Sequence, residues 1–412
     1  MGRSERADVD PFLLPSRAFP VAFFRNSSIN LLNLHYGIHC TALTGGAAFF
    51  AIYLLKSGVP VPGVFVSLAL ILLGRLVVRP IVIGLAARWG LRVMVIAGTL
   101  LSALQYPFLA EVHGVGRALA GLIAMSAVGG TIYWSTYHAY FAALGDDDLR
   151  GQQIGVREAI AAVVGIASPL LTGWMLVAFG PRVAFGATSG ITALAALPLL
   201  WAPNVKVGRQ MPGAFRAAVS GMLLFVADGW VGAGYVFVWQ IALFVSLDES
   251  LLAYSGALAV AALVGAIGGL TLGRHIDAGR GKQAVWYAFG TFALIVALRA
   301  VATGNATVAV LANALGAFGE CLYIPTLMTA VYTMAKHSPC ALRFHVVTEG
   351  GWDVGGATGL LAAALATGLG GALWAGILQS LAGLAAITIM LRHYYANSPA
   401  TVVDVVRKPA EG

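Results

Sequence analysis

The sequence predicts an all-α polytopic membrane protein: twelve transmembrane helices in two pseudo-symmetric six-helix bundles. Three observations carry this expectation. The 412 residues are 59% hydrophobic and 10% charged, against about 25% charged in an ordinary soluble domain, so lipid is the solvent for the excess apolar surface. The apolar residues fall into runs of about 20, the length that crosses a hydrocarbon core. Lysines and arginines cluster at the ends of those runs, as orientation signals do.

Read in order, the runs place spans at roughly 28–55, 62–87, 91–110, 117–143, 153–179 and 183–202, then 215–246, 251–273, 283–303, 306–335, 345–368 and 371–392. Residues 1–27 form an N-terminal segment whose Pro11–Arg25 stretch lies along the interface. Tight turns at Gly180-Pro181 and Gly370-Gly371 join the last two spans of each half. The stretch 204–214, with Lys206, Arg209 and Pro212, links residues 28–203 to residues 215–392, and 393–412 form a tail.

One side of the chain carries Arg88, Arg92, Arg150, Lys206, Arg209, Arg216, Arg274, Arg280, Lys282, Lys336 and Arg343. The other holds little beyond Lys56, Arg117, Arg182 and Arg299, with acids at Glu111, Asp248 and Glu249. Positive charge stays in the cytoplasm, so both termini are expected there, in a bacterial inner membrane. The net charge of +8 does not read as a nucleic-acid footprint, because the cations are not interleaved with aromatics in a patch. Cys40, Cys321 and Cys340 form no CxxC pair and read as buried thiols rather than disulfide partners. No GxxxxGK[ST] is present, so no ATP-driven step is expected.

The halves echo each other. Ala127, Gly129, Tyr133 and Thr136 match Ala317, Gly319, Tyr323 and Thr326 at an offset of about 190 residues. Gly84, Arg88 and Gly90 match Gly273, Asp277 and Gly279 at nearly the same offset. Parallel repeats of this kind are one transporter plan.

On these residues the chain resembles the major facilitator superfamily over essentially its whole length. Gly273-Arg274-His275-Ile276-Asp277-Ala278-Gly279-Arg280-Gly281-Lys282 is similar to the family's motif between spans eight and nine. The first-half copy departs from it: no acid stands at Ala87 or Arg88. Gly165 to Gly173, with Pro169, is similar to a motif of the family's exporters, with Ser168 where a glycine is usual. The resemblance implies a central cavity lined by spans one, four, seven and ten.

Charge inside the bilayer costs about 2.5–3.5 kcal/mol per residue on insertion scales, so mid-span polar groups are the site candidates. These are Asp228, Glu320, Arg75, His35 and His39, with Tyr133, Trp134, Tyr137, His138, Tyr235, Trp239, Asn313 and Tyr323 around them. Asn313, Gly316, Glu320 and Tyr323 form one helical stripe. Arg75 is expected to partner either Asp228 or Glu320. Gating is assigned to Arg88, Arg92, Gly273, Arg274, Asp277, Gly279, Arg280 and Lys282 in the basic turns. It is also assigned to Arg157, Glu158, Glu349 and Asp353, read as first-turn residues of spans five and eleven. Pro80, Pro169, Pro198 and Pro325 lie inside spans.

The expected function is secondary active transport of a small organic solute by alternating access. Protons couple through Glu320 or Asp228, and export is favoured over import. No nucleophile–base constellation points to an enzyme. The expected partners are the solute, protons and the bilayer, for a monomer with no cofactor and no resident metal. Two alternatives stand beside this. One is a transition-metal transporter using His35, His39, Cys40, His138 and the buried acids. The other is a receptor or assembly factor on the same fold that no longer transports.

Overall fold

The computed structural model describes residues 25–145, 150–208, 213–276 and 281–397. Among these residues every regular element is a helix. Ten helices among the described residues are long and apolar enough to cross a membrane. In chain order α1 is Ser27–Lys56, α2 Val61–Trp89, α3 Leu91–Ala110, α4 Arg117–Leu144, α5 Arg150–Ala178 and α6 Gly180–Trp201. The second half has α7 at Val219–Ser246, α8 at Leu251–Ile276, α9 at Gly281–Val301, α10 at Ala306–Lys336 and α11 at Ala341–Gly368. The last, α12, is Leu373–Ala396. Of these, α9 and α11 fall outside the ten: the apolar part of α9, Val285–Val301, is short, and α11 carries Arg343, Glu349 and Asp353.

Local signals set the helix ends. Asn26 and Asn305 cap α1 and α10, each side chain accepting a first-turn N–H, from Ile29 at 3.1 Å and from Val308 at 3.0 Å. Gly90 ends α2 with φ +86, a conformation open to glycine. A Cβ there would also lie 2.3 Å from Asn204 Oδ1. That asparagine ties the 2–3 turn to the link between halves, donating to Trp89 O at 2.9 Å and accepting from Arg92 N at 3.2 Å. Arg92 donates to Leu200 O and Ala202 O, at 3.3 and 2.9 Å, satisfying carbonyls at the end of α6. Arg92 was expected to gate; its contacts stay within the first half, where it staples two helix ends.

The structure corrects two further expectations. α11 starts at Ala341, four residues before the expected boundary, so Glu349 and Asp353 lie two to three turns inside it and not in its first turn. α5 likewise starts at Arg150, which puts Arg157 and Glu158 two turns in. Of the four prolines expected inside spans, Pro80, Pro169 and Pro325 lie inside α-helices, and so does Pro107 of α3. Pro198 instead opens a 3-10 turn, Leu197–Trp201, at the end of α6.

A shared irregularity relates the halves more closely than any residue match. α1 widens into a π turn at Ala42–Gly46, and α7 does so at Ala233–Val238. The two turns stand about 190 residues apart, the offset of the sequence echoes. Glycines let neighbours approach them. A Cβ on Gly46 would lie 2.5 Å from Tyr106, and one on Gly234 would lie 2.4 Å from Ser380. π turns of this kind recur at functional sites.

Across the halves, α2 packs on α11 and α5 on α8. At the end of the bundle holding Lys56 and Ser246, α1 also meets the second half. There Tyr254 donates to Ala48 O at 3.2 Å, Phe49 meets the Tyr254 ring edge-on at 5.5 Å, and Lys56 lies over Phe244 at 5.8 Å. The opposite end, with Arg88, Arg92, Lys336 and Arg343, is called the basic end below.

Candidate functional site

Between the two π turns lies a cavity of about 370 Å³. Leu43, Ala47 and Ala48 come from the π turn of α1 and its exit, and Phe237 and Gln240 from that of α7. Arg75 closes one wall, Tyr133 and Trp134 another, and Ser126 with Gln105 a third. Ser126 donates to Gln105 Oε1 at 2.9 Å, which orients that amide. The chamber is aromatic and polar, with one cation, and is sized for a small molecule. His39, Arg75, Tyr133 and Trp134 were expected in it. Gln105, Ser126 and Phe237 were not, because single polar residues or lone aromatics in apolar runs carry no periodic signal. α10, which the family resemblance placed on the cavity, contributes no lining residue to this one.

Arg75 pairs with neither Asp228 nor Glu320. Its Nε lies 3.2 Å from Asp353 Oδ1, and its guanidinium sits 6.0 Å from the Trp352 ring. One turn on, Arg79 donates to Glu349 Oε2 at 2.9 Å, to Ser135 Oγ at 3.3 Å and to Asp353. His138 Nε2 stands 3.9 Å from Glu349 Oε1. α2 of the first half is thus bound to α11 of the second by two arginines and two acids of zero formal sum, with Ser135 and His138 of α4 at their edge. Asp353 is fully buried and Arg79 nearly so. Burying such charges is unfavourable unless each is paired, and here each is. The sequence reading put Arg75 with the mid-span site and Glu349 and Asp353 with the gate, because the partners lie more than 270 positions apart. His138 keeps 43% of its side chain exposed, so this edge of the cluster faces an opening.

The two histidines of α1 are held in a ring stack. His35 Nδ1 lies 2.7 Å from Ala195 O and Nε2 lies 3.1 Å from Tyr133 OH. A carbonyl only accepts, so Nδ1 carries the proton and the neutral ring accepts from tyrosine at Nε2. His39 stacks on His35 at 5.8 Å and packs against Tyr133 at 4.1 Å. Tyr137 continues the stack at 5.5 Å from Tyr133. Only His39 and Tyr133 of this group reach the cavity.

In the second half the polar stripe of α10 faces α7 and α9 behind the cavity. Asn313 accepts from Trp239 Nε1 at 3.0 Å and donates to Ala257 O at 3.1 Å, which makes it a structural cross-link. Tyr323 donates to Asp228 Oδ1 at 2.5 Å. Arg299, expected at the surface opposite the basic end, is 4% exposed and turned inward. It donates to Tyr235 O at 2.6 Å and lies 3.7 Å over the Tyr235 ring and 4.9 Å over Trp239. Gly316 makes this possible, since a Cβ there would sit 2.0 Å from the guanidinium. Glu320 lies one turn on from Gly316, where this cation is seated, whereas Asp228 accepts from the neutral donor Tyr323.

Of the gating residues, Arg157 pairs with its neighbour Glu158 at 2.5 Å and stacks over Tyr36 at 5.2 Å and Phe141 at 5.3 Å, all within the first half. Arg88 is exposed at the end of α2. Gly273 and Arg274 fall in the last turns of α8 and Lys282 in the first of α9. Asp277, Gly279 and Arg280 lie outside the described residues. Among the described residues no three His, Cys, Asp or Glu side chains converge as a metal site would require. The three cysteines are free.

The Major Facilitator Superfamily profile matches residues 34–341. The chain belongs to that superfamily, and it is a multi-pass membrane transporter rather than an enzyme. Similar folds include a POT family transporter solved with 5-aminolevulinic acid, at 11% identity and TM-score 0.62, covering 88% of this chain and 95% of that one. The POT family transporter PepTSo superposes at 12% identity and TM-score 0.66, over 90% of this chain and 99% of its own. A bacterial homologue of the iron transporter ferroportin, in its inward-facing state, does so at 11% identity and TM-score 0.66, over 91% and 100%. No curated protein matches the chain. At these identities the likeness is one of fold.

Proposed function

We propose that this secondary transporter exports a small organic solute across the bacterial inner membrane by alternating access, coupled to protons. Two six-helix bundles of twelve crossings rock about the cavity between the π turns, with both termini cytoplasmic and the protein a monomer. One observation carries the reading: the cation in the cavity wall, Arg75, is also the first link of the bridge to Asp353. A solute whose acceptor groups engage Arg75 competes with Asp353, loosens the tie between α2 and α11, and so couples occupancy to movement. His39, Tyr133, Trp134, Gln105 and Gln240 supply stacking and hydrogen bonds for an amphipathic or ring-bearing solute.

Asp228 is the favoured proton carrier. It accepts from the Tyr323 hydroxyl, whereas Glu320 lies one turn from Gly316, against which Arg299 is seated. A carboxyl without a counter-cation changes its charge with least disturbance to its neighbours. Export rests on the Gly165–Gly173 resemblance.

The test uses sealed vesicles loaded with a pH-sensitive dye and challenged with a panel of small solutes under an imposed gradient. The parent protein should move protons on addition of its solute. Asp228→Asn should lose gradient-driven movement yet keep solute exchange between equal pH compartments. Full gradient-driven flux in both Asp228→Asn and Glu320→Gln would remove proton coupling through these acids.

A further inference from the structure

A second, larger hollow lies on the flank of the bundle. It holds about 670 Å³ between α2, the short helix Ala214–Ala217, α7 and α11. Leu76, Pro80, Ile83, Met222, Val226 and Val354 give it an almost wholly hydrocarbon wall. Arg79 forms part of its floor but is already bound to Glu349 and Asp353. Beside it on α2, Val77 is 74% exposed and Ile81 57% exposed. These outward side chains belong to a membrane-crossing helix, so the groove faces lipid tails. An apolar hollow of this size in a bilayer is filled by hydrocarbon, since water would find no partners there.

Two features narrow the occupant. The first is length. The groove follows α11 from Arg343 to Val354, about 16 Å at 1.5 Å per residue. That is close to half of a hydrocarbon core of about 30 Å, the depth one acyl chain occupies in one leaflet. The second is charge. Arg343, 9% exposed, is packed over the Phe215 ring at 5.7 Å at the basic end. Exposed Arg216 follows Phe215. The first-turn N–H groups of α11 open at the same level, and Cys340 provides no side-chain cap.

We propose that this groove is a binding site for one anionic phospholipid of the leaflet at the basic end. An acyl chain lies against Leu76, Met222 and Val354, and the phosphate is held by Arg216. The bound chain wedges between α2 and α11 directly beside the Arg79–Glu349–Asp353 bridge, so occupancy stiffens that flank. On the opposite flank α5 and α8 approach closely, and a Cβ on Gly173 would lie 2.6 Å from Ser255.

Native mass spectrometry of the detergent-released full chain tests this with three probes: phosphatidylglycerol, phosphatidylcholine with the same acyl chains, and dihexanoyl phosphatidylglycerol. The long-chain anionic lipid should be retained as a single adduct in preference to the choline lipid, and the short-chain lipid should not be retained. Gly84 lines the groove and a Cβ there meets open space, so Gly84→Phe plugs it without a backbone clash. That variant should lose both long-chain lipids by more than about tenfold. Gly256→Phe, an equally unobstructed site on α8, should bind as the parent does. Arg216→Gln should bring the glycerol lipid down about fivefold, toward the choline lipid. Equal retention of the two headgroups by the parent, retention of the short-chain lipid, or undiminished binding in Gly84→Phe would each overturn the proposal. The headgroup and chain comparisons need only the parent protein.

Discussion

The sequence halves meet along two flanks in pseudo-equivalent positions, α2 on α11 and α5 on α8, and these are built from opposite materials. Four charged side chains join the first: Arg75, Arg79, Glu349 and Asp353. The second is joined by small residues. Gly173 faces Ser255, and a Cβ on Gly165 would lie 3.7 Å from Ala262. Small residues let helices slide at little cost, since van der Waals contact changes gradually. A buried ion cluster is either made or broken. Under the proposed alternating access, this asymmetry would divide labour: α5–α8 as a pivot, and α2–α11 as the latch that decides which state is populated.

The largest expected effect breaks the latch. Asp353→Asn leaves two buried arginines facing one acid and should destabilise the detergent-solubilised protein by about 3–5 kcal/mol. Chemical unfolding followed by tryptophan fluorescence measures it, and a loss below about 1 kcal/mol would mean that the cluster does not join the halves. Next comes the pivot. Gly173→Leu drives side chain into Ser255 and the Leu251 carbonyl and should cost about 1–3 kcal/mol by the same assay. Gly165→Ala, with ordinary contact distance, should lie within about 0.5 kcal/mol of the parent. If the two glycine variants behaved alike, close approach would not be what the α5–α8 flank depends on.

A weaker effect belongs to the turn that holds the first half together. Gly90→Ala places a side chain at φ +86 against Asn204 and should cost about 1–3 kcal/mol, seen as faster proteolysis in the 204–208 link. Smallest is the ion pair at the end opposite the basic one, Glu111 with Arg182 at 2.7 Å, where Arg182 hydrogen bonds hold the Glu111 carboxyl below its ordinary range. A lowered folded value means that any stabilisation is present above the unfolded pKa and is lost as pH falls through the folded one. Both groups are exposed, so salt screens the pair. Glu111→Gln should leave the thermal midpoint at pH 7 unchanged within error, and a clear drop would show that this end is tied by charge as well.

Much of the fold was legible because bilayer physics is written residue by residue. Run length and the placement of Arg88, Arg92, Lys336 and Arg343 predicted helix positions to within a few residues. The repeat offset was visible too, and the paired π turns at Ala42–Gly46 and Ala233–Val238 share it. The turns themselves left no trace in periodicity, since a single wide turn shifts a helical stripe by less than its width. The candidate site was legible as a set of residue types and not as pairings. Arg75, Glu349 and Asp353 were all singled out, yet partners on α2 and α11 are fixed only by packing. Arg299 was assigned to the surface because it ends an apolar run. Its inward turn depends on Gly316, a residue that marks only an absence of side chain.

Alternating access through the α2–α11 latch is tested most directly by double electron–electron resonance in lipid nanodiscs. Spin labels at Ala143 on α4 and Thr329 on α10, with the three native cysteines replaced, report the separation of the halves at the basic end. The account predicts two separations whose populations shift when Asp353→Asn and Glu349→Gln are introduced, because the latch holds one of the two states. One separation, identical in the parent and in both variants, would contradict it.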